Sequence, residues 1–451
     1  MPDNDDQQRS GTTGGAAWWP PKTLRAMRHR NYALLITGMV FSLVGHWMQD
    51  TALRWLIYRM TSDSFLLGLH AFAAQLPVLL LGFVSGVVAD RVSRRRLILL
   101  TQSLYAVQAA ILFLLAALHG PDGEPLIRYW HIIALAAFAG MLQSFDLPAR
   151  QAFLSEVVPK EDLGNAIALN SLAFNTARII GPSLAGGVIS VAAAYGFGGQ
   201  AAGEALCFAI NSVTFLIVVL QLLRMRLGHA SVPAFSGSGS GHVVEGLRYA
   251  FGQVHIGVTV VFVGLMAVFG LPYLVLLPVF ARDVFGGDAR TLGQMFSSIG
   301  IGALTGGIVM ARRRHLRGLG RAIAASAVCF SVVIICFAQT DSCLLGCVWL
   351  VVAGFCMVSA MIGCQTLVQM LVEERFRGRV MSLYAMMNLG MMPFGSLLAG
   401  WMARRLGPQV AQAACGCVCL VVAMCFALLL PAMRRSARAT PEYVEAAALS
   451  D

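Results

Sequence analysis

Asp50 and Arg54 stand four residues apart inside the apolar run 32–58. On a helix that spacing places both side chains on one face, within ion-pairing reach. A charge at the centre of a bilayer costs about 2.5–3.5 kcal/mol on insertion scales. A carboxylate and a guanidinium kept there imply a face turned towards a water-accessible cavity. Such a carboxylate can take up and release a proton, which makes Asp50 a candidate coupling group with Arg54 as its partner. The alternative role for the pair is a structural ion bridge near the outer interface. Arg178 lies in a second apolar run, 164–192. It can pair with Asp146, bind an anionic group of a ligand, or hydrogen-bond between helices. Gln49, Gln143, Asn170, Asn175 and Asn388 are polar side chains within apolar runs and are candidates for a cavity lining. Each of them also suits an interhelical hydrogen bond. His46 and His70 titrate near neutrality in water, although a single histidine in such a run is more often structural.

These residues are carried by about a dozen long apolar stretches. We expect helices over 32–58, 65–89, 97–118, 131–145, 164–192 and 203–223. Six more are expected over 255–280, 292–310, 321–338, 343–369, 378–403 and 410–432. Each is long enough to approach the roughly 20 residues that cross a hydrocarbon core. Backbone groups must be satisfied internally in lipid, and continuous runs of this length exclude barrel strands. The composition agrees: 57% of the 451 residues are hydrophobic and 12% are charged, with a mean hydropathy of +0.72. A soluble chain of this size needs far more charge to cover its surface.

The net charge of +11 does not indicate nucleic acid, because the cations sit in short clusters between apolar runs. Arg91, Arg94 to Arg96, Arg150, Lys160, Arg224, Arg312 to Arg314, Arg375, Arg377, Arg434 and Arg435 fall on one side. The positive-inside rule makes that side cytoplasmic, together with both termini. Arg404 and Arg405 are exceptions on the other side. Residues 1–30 read as a largely disordered cytoplasmic tail. Residues 31–223 and 255–432 form two six-helix units. Residues 224–254, with the Ser-Gly repeat at 236–241, read as a flexible linker, and 433–451 as a cytoplasmic tail. The eleven cysteines lie almost wholly in apolar runs. Cys415, Cys417 and Cys419 cannot converge on a helix, since Cys417 points away from the other two. No metal site, cofactor site or phosphate-binding G-x-x-x-x-G-K-[ST] loop is expected.

The two halves repeat. Gly164 to Gly187 aligns without gaps on Gly378 to Trp401, pairing Gly181 with Gly395 and Gly186 with Gly400. Gly82 and Gly86 similarly match Gly302 and Gly306. Parallel repeats of six spans, related by an axis along the membrane normal, leave a cavity between them. Small residues let helix backbones approach, so Gly82, Gly86, Gly181, Pro182 and Gly186 are expected packing points.

The loop after the second run reads Gly86-Val-Val-Ala-Asp90-Arg91-Val-Ser93-Arg94-Arg95. It resembles the signature G-x-x-x-D-R-x-G-R-R/K of the major facilitator superfamily, with Ser93 in place of a glycine. Gly181-Pro182-Ser-Leu-Ala185-Gly186 is similar to the exporter-type G-P-x-x-G-G motif. Arg30-Asn31-Tyr32, Gly45-His-Trp47-Met48-Gln49 and Asp146-Leu-Pro148-Ala-Arg150 extend the likeness. Together they resemble the branch that holds the enterobactin exporter and macrolide efflux pumps, the transmembrane secretion effectors. The resemblance implies an all-helical, twelve-span fold and a secondary transporter, not an enzyme. It implies proton-coupled export of a bulky amphipathic small molecule such as a siderophore or drug, across the inner membrane, by a monomer. It also implies a cytoplasmic gate of Asp90, Arg91, Arg95 and Asp146. An importer or lipid flippase of the same fold, or a non-transporting receptor, is the alternative. The run 131–145 lacks the arginine that many proton-coupled exporters carry in their fourth span.

Overall fold

Apolar runs with no water to satisfy their backbones close their hydrogen bonds within helices, and this chain is almost wholly helical. The computed structural model describes residues 22–121, 124–195, 199–226, 241–313 and 318–438. A short 3-10 helix, Lys22–Arg28, precedes α1 (Arg30–Thr61), α2 (Ser64–Arg91), α3 (Arg94–Ala117), α4 (Tyr129–Val157), α5 (Lys160–Ala194) and α6 (Gly199–Arg224). After α7 (Gly241–Gly252) come α8 (Val254–Phe269), α9 (Tyr273–Val279), α10 (Ala289–Ala311), α11 (Leu319–Ala338) and α12 (Cys343–Leu371). The chain ends in α13 (Glu374–Gly390), α14 (Met392–Leu406) and α15 (Pro408–Arg438). Ten helical segments among the described residues are long and apolar enough to cross a membrane. The more polar α1 and the broken pair α13–α14 bring the crossings to twelve.

Two expected single spans are interrupted. Gly270, Leu271 and Pro272 separate α8 from α9, and Met391 separates α13 from α14 just before Pro393. Proline has no N–H to donate and favours a helix's first turn, so each break falls where a new helix can begin. The expected linker is not wholly coil. Its last part is α7, which docks on α13 through Arg379 Nη1 to Glu245 Oε2 (2.7 Å) and through stacked Tyr249 and Phe376 rings. The Ser-Gly repeat and most of both tails lie outside the described residues.

The sequence repeat is a packing repeat. A Cβ added to Gly181 of α5 would stand 2.6 Å from Trp47 Cβ on α1, and one added to Gly395 of α14 would stand 2.1 Å from Val268 O on α8. Gly186 of α5 lies equally close to Ala289 O on α10, and Gly400 of α14 to Ser64 O on α2, each at 2.7 Å. Gly140 of α4 presses on Ala74 O of α2 and Gly354 of α12 on Ile299 O of α10. Each pair holds corresponding helices of the two halves. Gly82 and Gly86 depart from expectation: a Cβ there meets nothing within 4 Å, whereas Gly302 and Gly306 press on α12. The sequence match between those four glycines therefore does not extend to their packing.

Polar ties fix the interior of the first bundle. Arg59 of α1 donates twice to Glu204 of α6, at 2.9 and 2.7 Å, and the Glu204 side chain is 1% exposed. Gln49 donates to Gln108 on α3 and accepts from Asn211 on α6. Arg94 bridges to Glu156 at 2.7 Å, joining α3 to α4. Arg25 and His29 meet Asp162 at the start of α5. Removing one partner of a buried ion pair costs about 3–5 kcal/mol, because the remaining charge is stranded. Arg59→Gln is therefore expected to lower the detergent-solubilised melting temperature sharply. Adding Glu204→Gln is expected to recover much of the loss, as measured by thermal-shift fluorescence.

Candidate functional site

The two bundles, α1–α6 and α8–α15, meet at one end. Ser183 Oγ on α5 and Ser297 Oγ on α10 are 2.6 Å apart, and Ser297 also donates to Ile179 O at 2.8 Å. Around them Gly186 faces Ala289, Gly293 faces the carbonyl of Pro182, and Gly300 faces Ile179. The same end of α2 packs on α14: Ser64 Oγ donates to Gly400 O at 3.1 Å, and Arg404 lies 3.1 Å from Asp63. At the tip of α1 the Tyr58 hydroxyl donates to Asp283, and Arg282 donates to Tyr58 O and Ser62 Oγ. Ser190 donates to Asp288. Together these contacts seal this end. Glycines with open space where a Cβ would stand occur at both ends: Gly187, Gly286 and Gly407 at this one, Gly82, Gly86, Gly164 and Gly378 at the opposite one.

One stripe of α1 runs from the open side up to the seal. His46, Asp50, Arg54 and Tyr58 follow at intervals of four, so they stack along one face. Arg54 Nε donates to Asp50 Oδ2 at 2.8 Å, and both side chains retain partial exposure. Besides Arg54, His46 and His70 are titratable neighbours of Asp50. His70 is buried on α2 with no hydrogen-bond partner at Nδ1 among the described residues. The Arg54 guanidinium also lies 6.0 Å from the ring centre of Phe296 on α10, in the other bundle. The expected Asp50–Arg54 pair is thus formed, and its cation reaches across the bundle interface.

Arg178 does not pair with Asp146. Its guanidinium lies 5.8 Å over the ring of Trp47, which packs edge-to-face on Phe174. A cation over an indole face gains about 0.5–2 kcal/mol, more where water is excluded. Asn170 and Asn175 sit on the same helix, half-buried, and Asn175 donates back to Ser171 O. Gln143 of α4 and Asn388 of α13 are half-buried. Gln49 is instead buried in its amide network and is not a free lining group.

α4 continues past residue 145 to Val157, so Asp146 and Arg150 both lie inside it. Asp146 is fully buried, paired with Arg150 at 2.5 Å and accepting from Thr101 and Gln102 on α3. It fastens α3 to α4 within one bundle. The fourth crossing does then contain an arginine, four residues beyond the carboxylate. Arg95 donates to the carbonyls of Leu222 and Leu223, capping the end of α6, as cations near a helix C-terminus do. Arg91 is an exposed residue at the end of α2, and the Asp90 side chain lies outside the described residues.

Sequence reasoning missed Arg59–Glu204, Tyr58–Asp283 and Arg404–Asp63. Arg404 carried a signal, since it stood on the cation-poor side; its partner is the carboxylate at the start of α2. Cys415 and Cys419 are buried and Cys417 is exposed, the split expected from helical geometry.

Comparison with known proteins agrees with this architecture. Residues 22–449 match the family described as transmembrane secretion effector. The staphyloferrin A transporter of Staphylococcus aureus (strain NCTC 8325 / PS 47) is 25% identical over 79% of this chain and 85% of its own length. The enterobactin exporter of Shigella flexneri is 24% identical over 93% and 96%. The multidrug efflux pump Tap of Mycolicibacterium fortuitum is 24% identical over 89% and 96%. Among solved structures, a bacterial homologue of the human lysosomal transporter Spinster, in an inward-facing and occupied conformation, superposes with a TM-score of 0.69. It shares 16% identity, covering 92% of this chain and 99% of that one. A D-xylose–proton symporter superposes at 0.63 with 15% identity, over 87% and 96%. The fold is that of the major facilitator transporters, and the chain belongs to the transmembrane secretion effector family: it is a multi-pass membrane transporter, not an enzyme.

Proposed function

We propose that this transporter exports a bulky, amphipathic small molecule of the siderophore or drug-like class across the inner membrane, driven by protons and working by alternating access. The observation that carries this reading is the polar seal that joins the two bundles at one end; the opposite end, beside Gly82, Gly86, Gly164 and Gly378, is taken as the open one. Arg94, Arg95, Arg224, Arg312, Arg375 and Arg434 lie at the open end. The positive-inside rule turns that end, with both termini, to the cytoplasm. The structure is then the inward-open state, ready to load from the cell. Opening outward requires the seal to part and the cytoplasmic ends of α2, α5 and α13 to close.

Asp50 is the proposed proton carrier. While ionised it holds Arg54 at 2.8 Å. Protonation would remove that attraction and release the guanidinium, which also contacts Phe296 across the interface. Proton binding would thereby bear on how the bundles meet. Cargo recognition falls to the α5 face of Asn170, Phe174 and Arg178 together with Trp47. Aromatic faces beside a cation suit a molecule with apolar or aromatic bulk and an anionic group. The siderophore and drug cargoes named for three relatives fit that description. The protein is taken to act as a monomer.

Asp50→Asn is expected to abolish flux driven by a pH gradient in inverted membrane vesicles, while passive exchange of a dye substrate continues. Unchanged gradient-driven flux would remove Asp50 from the coupling role. Arg178→Gln is expected to weaken binding of anionic cargo by about 5- to 30-fold, the range of a lost contact worth 1–2 kcal/mol, with neutral cargo unaffected. Fluorescence titration of the purified variant measures both.

A further inference from the structure

A second polar feature lies far from the contact between bundles. At the open end, the start of α11 and the end of α15 enclose a notch of about 420 Å³ lined by Arg321, Ala427, Leu430, Pro431, Arg434 and Arg435. α11 and α15 pack on each other and on helices of their own bundle, so the notch faces outward, away from the cargo path. The two helix ends are held close: a Cβ at Gly320 would stand 2.8 Å from Leu430 Cδ2.

Three arginines converge there without a carboxylate among them. Like Arg96, Arg224, Arg290 and Arg405, the residues Arg321, Arg434 and Arg435 have no ion-pair partner among the described residues; what sets them apart is that all three line one notch. The start of α11 adds to the positive field. Its N-cap is Gly318, in the left-handed region at φ 79°, with no side-chain cap on the first-turn N–H groups. A helix N-terminus favours an anion, and here guanidinium groups flank it.

The floor of the notch is apolar and continues into an apolar strip. Val421, Met424 and Leu428 of α15 are exposed, Leu428 at 75%, and their spacing puts them on one side of the helix. In a membrane-spanning helix that strip faces hydrocarbon. The combination is a cationic cup at the depth of the headgroups above a greasy track at the depth of the acyl chains.

We propose that this notch binds the phosphate headgroup of an anionic phospholipid from the leaflet at the open end, with the acyl chains lying along Val421, Met424 and Leu428. Basic pockets between membrane helices recognise such headgroups, and each arginine near the surface contributes about fivefold in affinity. Arginine forks match a phosphate bidentately, which a zwitterionic headgroup's own ammonium opposes.

The test is native mass spectrometry of the detergent-purified full chain, presented with equal amounts of cardiolipin and phosphatidylethanolamine. Retention of cardiolipin well above phosphatidylethanolamine is expected. Arg321→Gln should lower it about fivefold, and the triple variant R321Q/R434Q/R435Q should lower it to the phosphatidylethanolamine level. The triple variant R321K/R434K/R435K, which keeps the charges, should still prefer cardiolipin. Size-exclusion profiles matching wild type show that each variant is folded. Millimolar inorganic phosphate should not displace the lipid, because it cannot use the apolar strip. The proposal is overturned by wild-type retention in the glutamine triple, by equal retention of both lipids, or by equal loss in the lysine triple. Displacement by phosphate alone would overturn it in favour of a soluble anion. Binding seen only after removal of residues 439–451, which include Glu442 and Glu445, would mean that the chain's own tail fills the notch.

Discussion

The contact between α5 and α10 is the constraint on which the architecture turns. Ser183 and Ser297 share a 2.6 Å hydrogen bond, and Gly186, Gly293 and Gly300 carry no Cβ where the two helices approach. Its counterpart between α2 and α14 uses Gly68 and Gly400 in the same way. Interhelical hydrogen bonds in membranes average about 0.6 kcal/mol. A seal made of such bonds and of close van der Waals contact is firm as a set, yet each part is cheap to break. Inside the bundles the ties differ in kind. Arg59–Glu204 and Asp146–Arg150 are buried charges whose separation strands an ion. The first bundle thus holds its most buried ion pairs inside, whereas the contact between bundles rests on neutral hydrogen bonds, close packing and the part-exposed pair Arg404–Asp63. Such a division suits the proposed rocking of two halves.

The α1 stripe connects this constraint to the proposed cargo path. His46, Asp50, Arg54 and Tyr58 rise along one helix face, and two of the four touch the other bundle: Arg54 at Phe296 and Tyr58 at Asp283. A change of charge at Asp50 therefore has a short physical route to the seal, through one guanidinium. Under the proposed cycle no longer pathway is needed. Arg178, on α5 directly below Gly181 and Pro182, sits where cargo would meet the same moving helix.

The spans and their glycine repeat were legible in the sequence, because both arise from local rules: length of apolar run, and small residues at helical spacing. The Asp50–Arg54 pair was legible for the same reason, being a contact between residues four apart. Arg59–Glu204 and Arg404–Asp63 join residues far apart in the chain, which no local pattern reports. The fourth span was ended at residue 145, one residue short of Asp146, because Pro148 follows; the proline is accommodated within α4. The breaks at Pro272 and Pro393 had a visible cause, but proline inside a membrane helix is tolerated often enough that residues 255–280 and 378–403 read as continuous. Gly82 and Gly86 were given packing partners by analogy with Gly302 and Gly306.

Cross-linking of the double variant S183C/S297C, with each single variant as control for the native thiols, tests the central claim most directly. The hydroxyl oxygens are 2.6 Å apart, so thiols in their place stand within reach of a disulfide. If the seal must part in every cycle, oxidation stops transport in the double variant alone, substrate still binds from the open side, and a reductant restores turnover. Undiminished transport by a fully cross-linked protein would contradict the account.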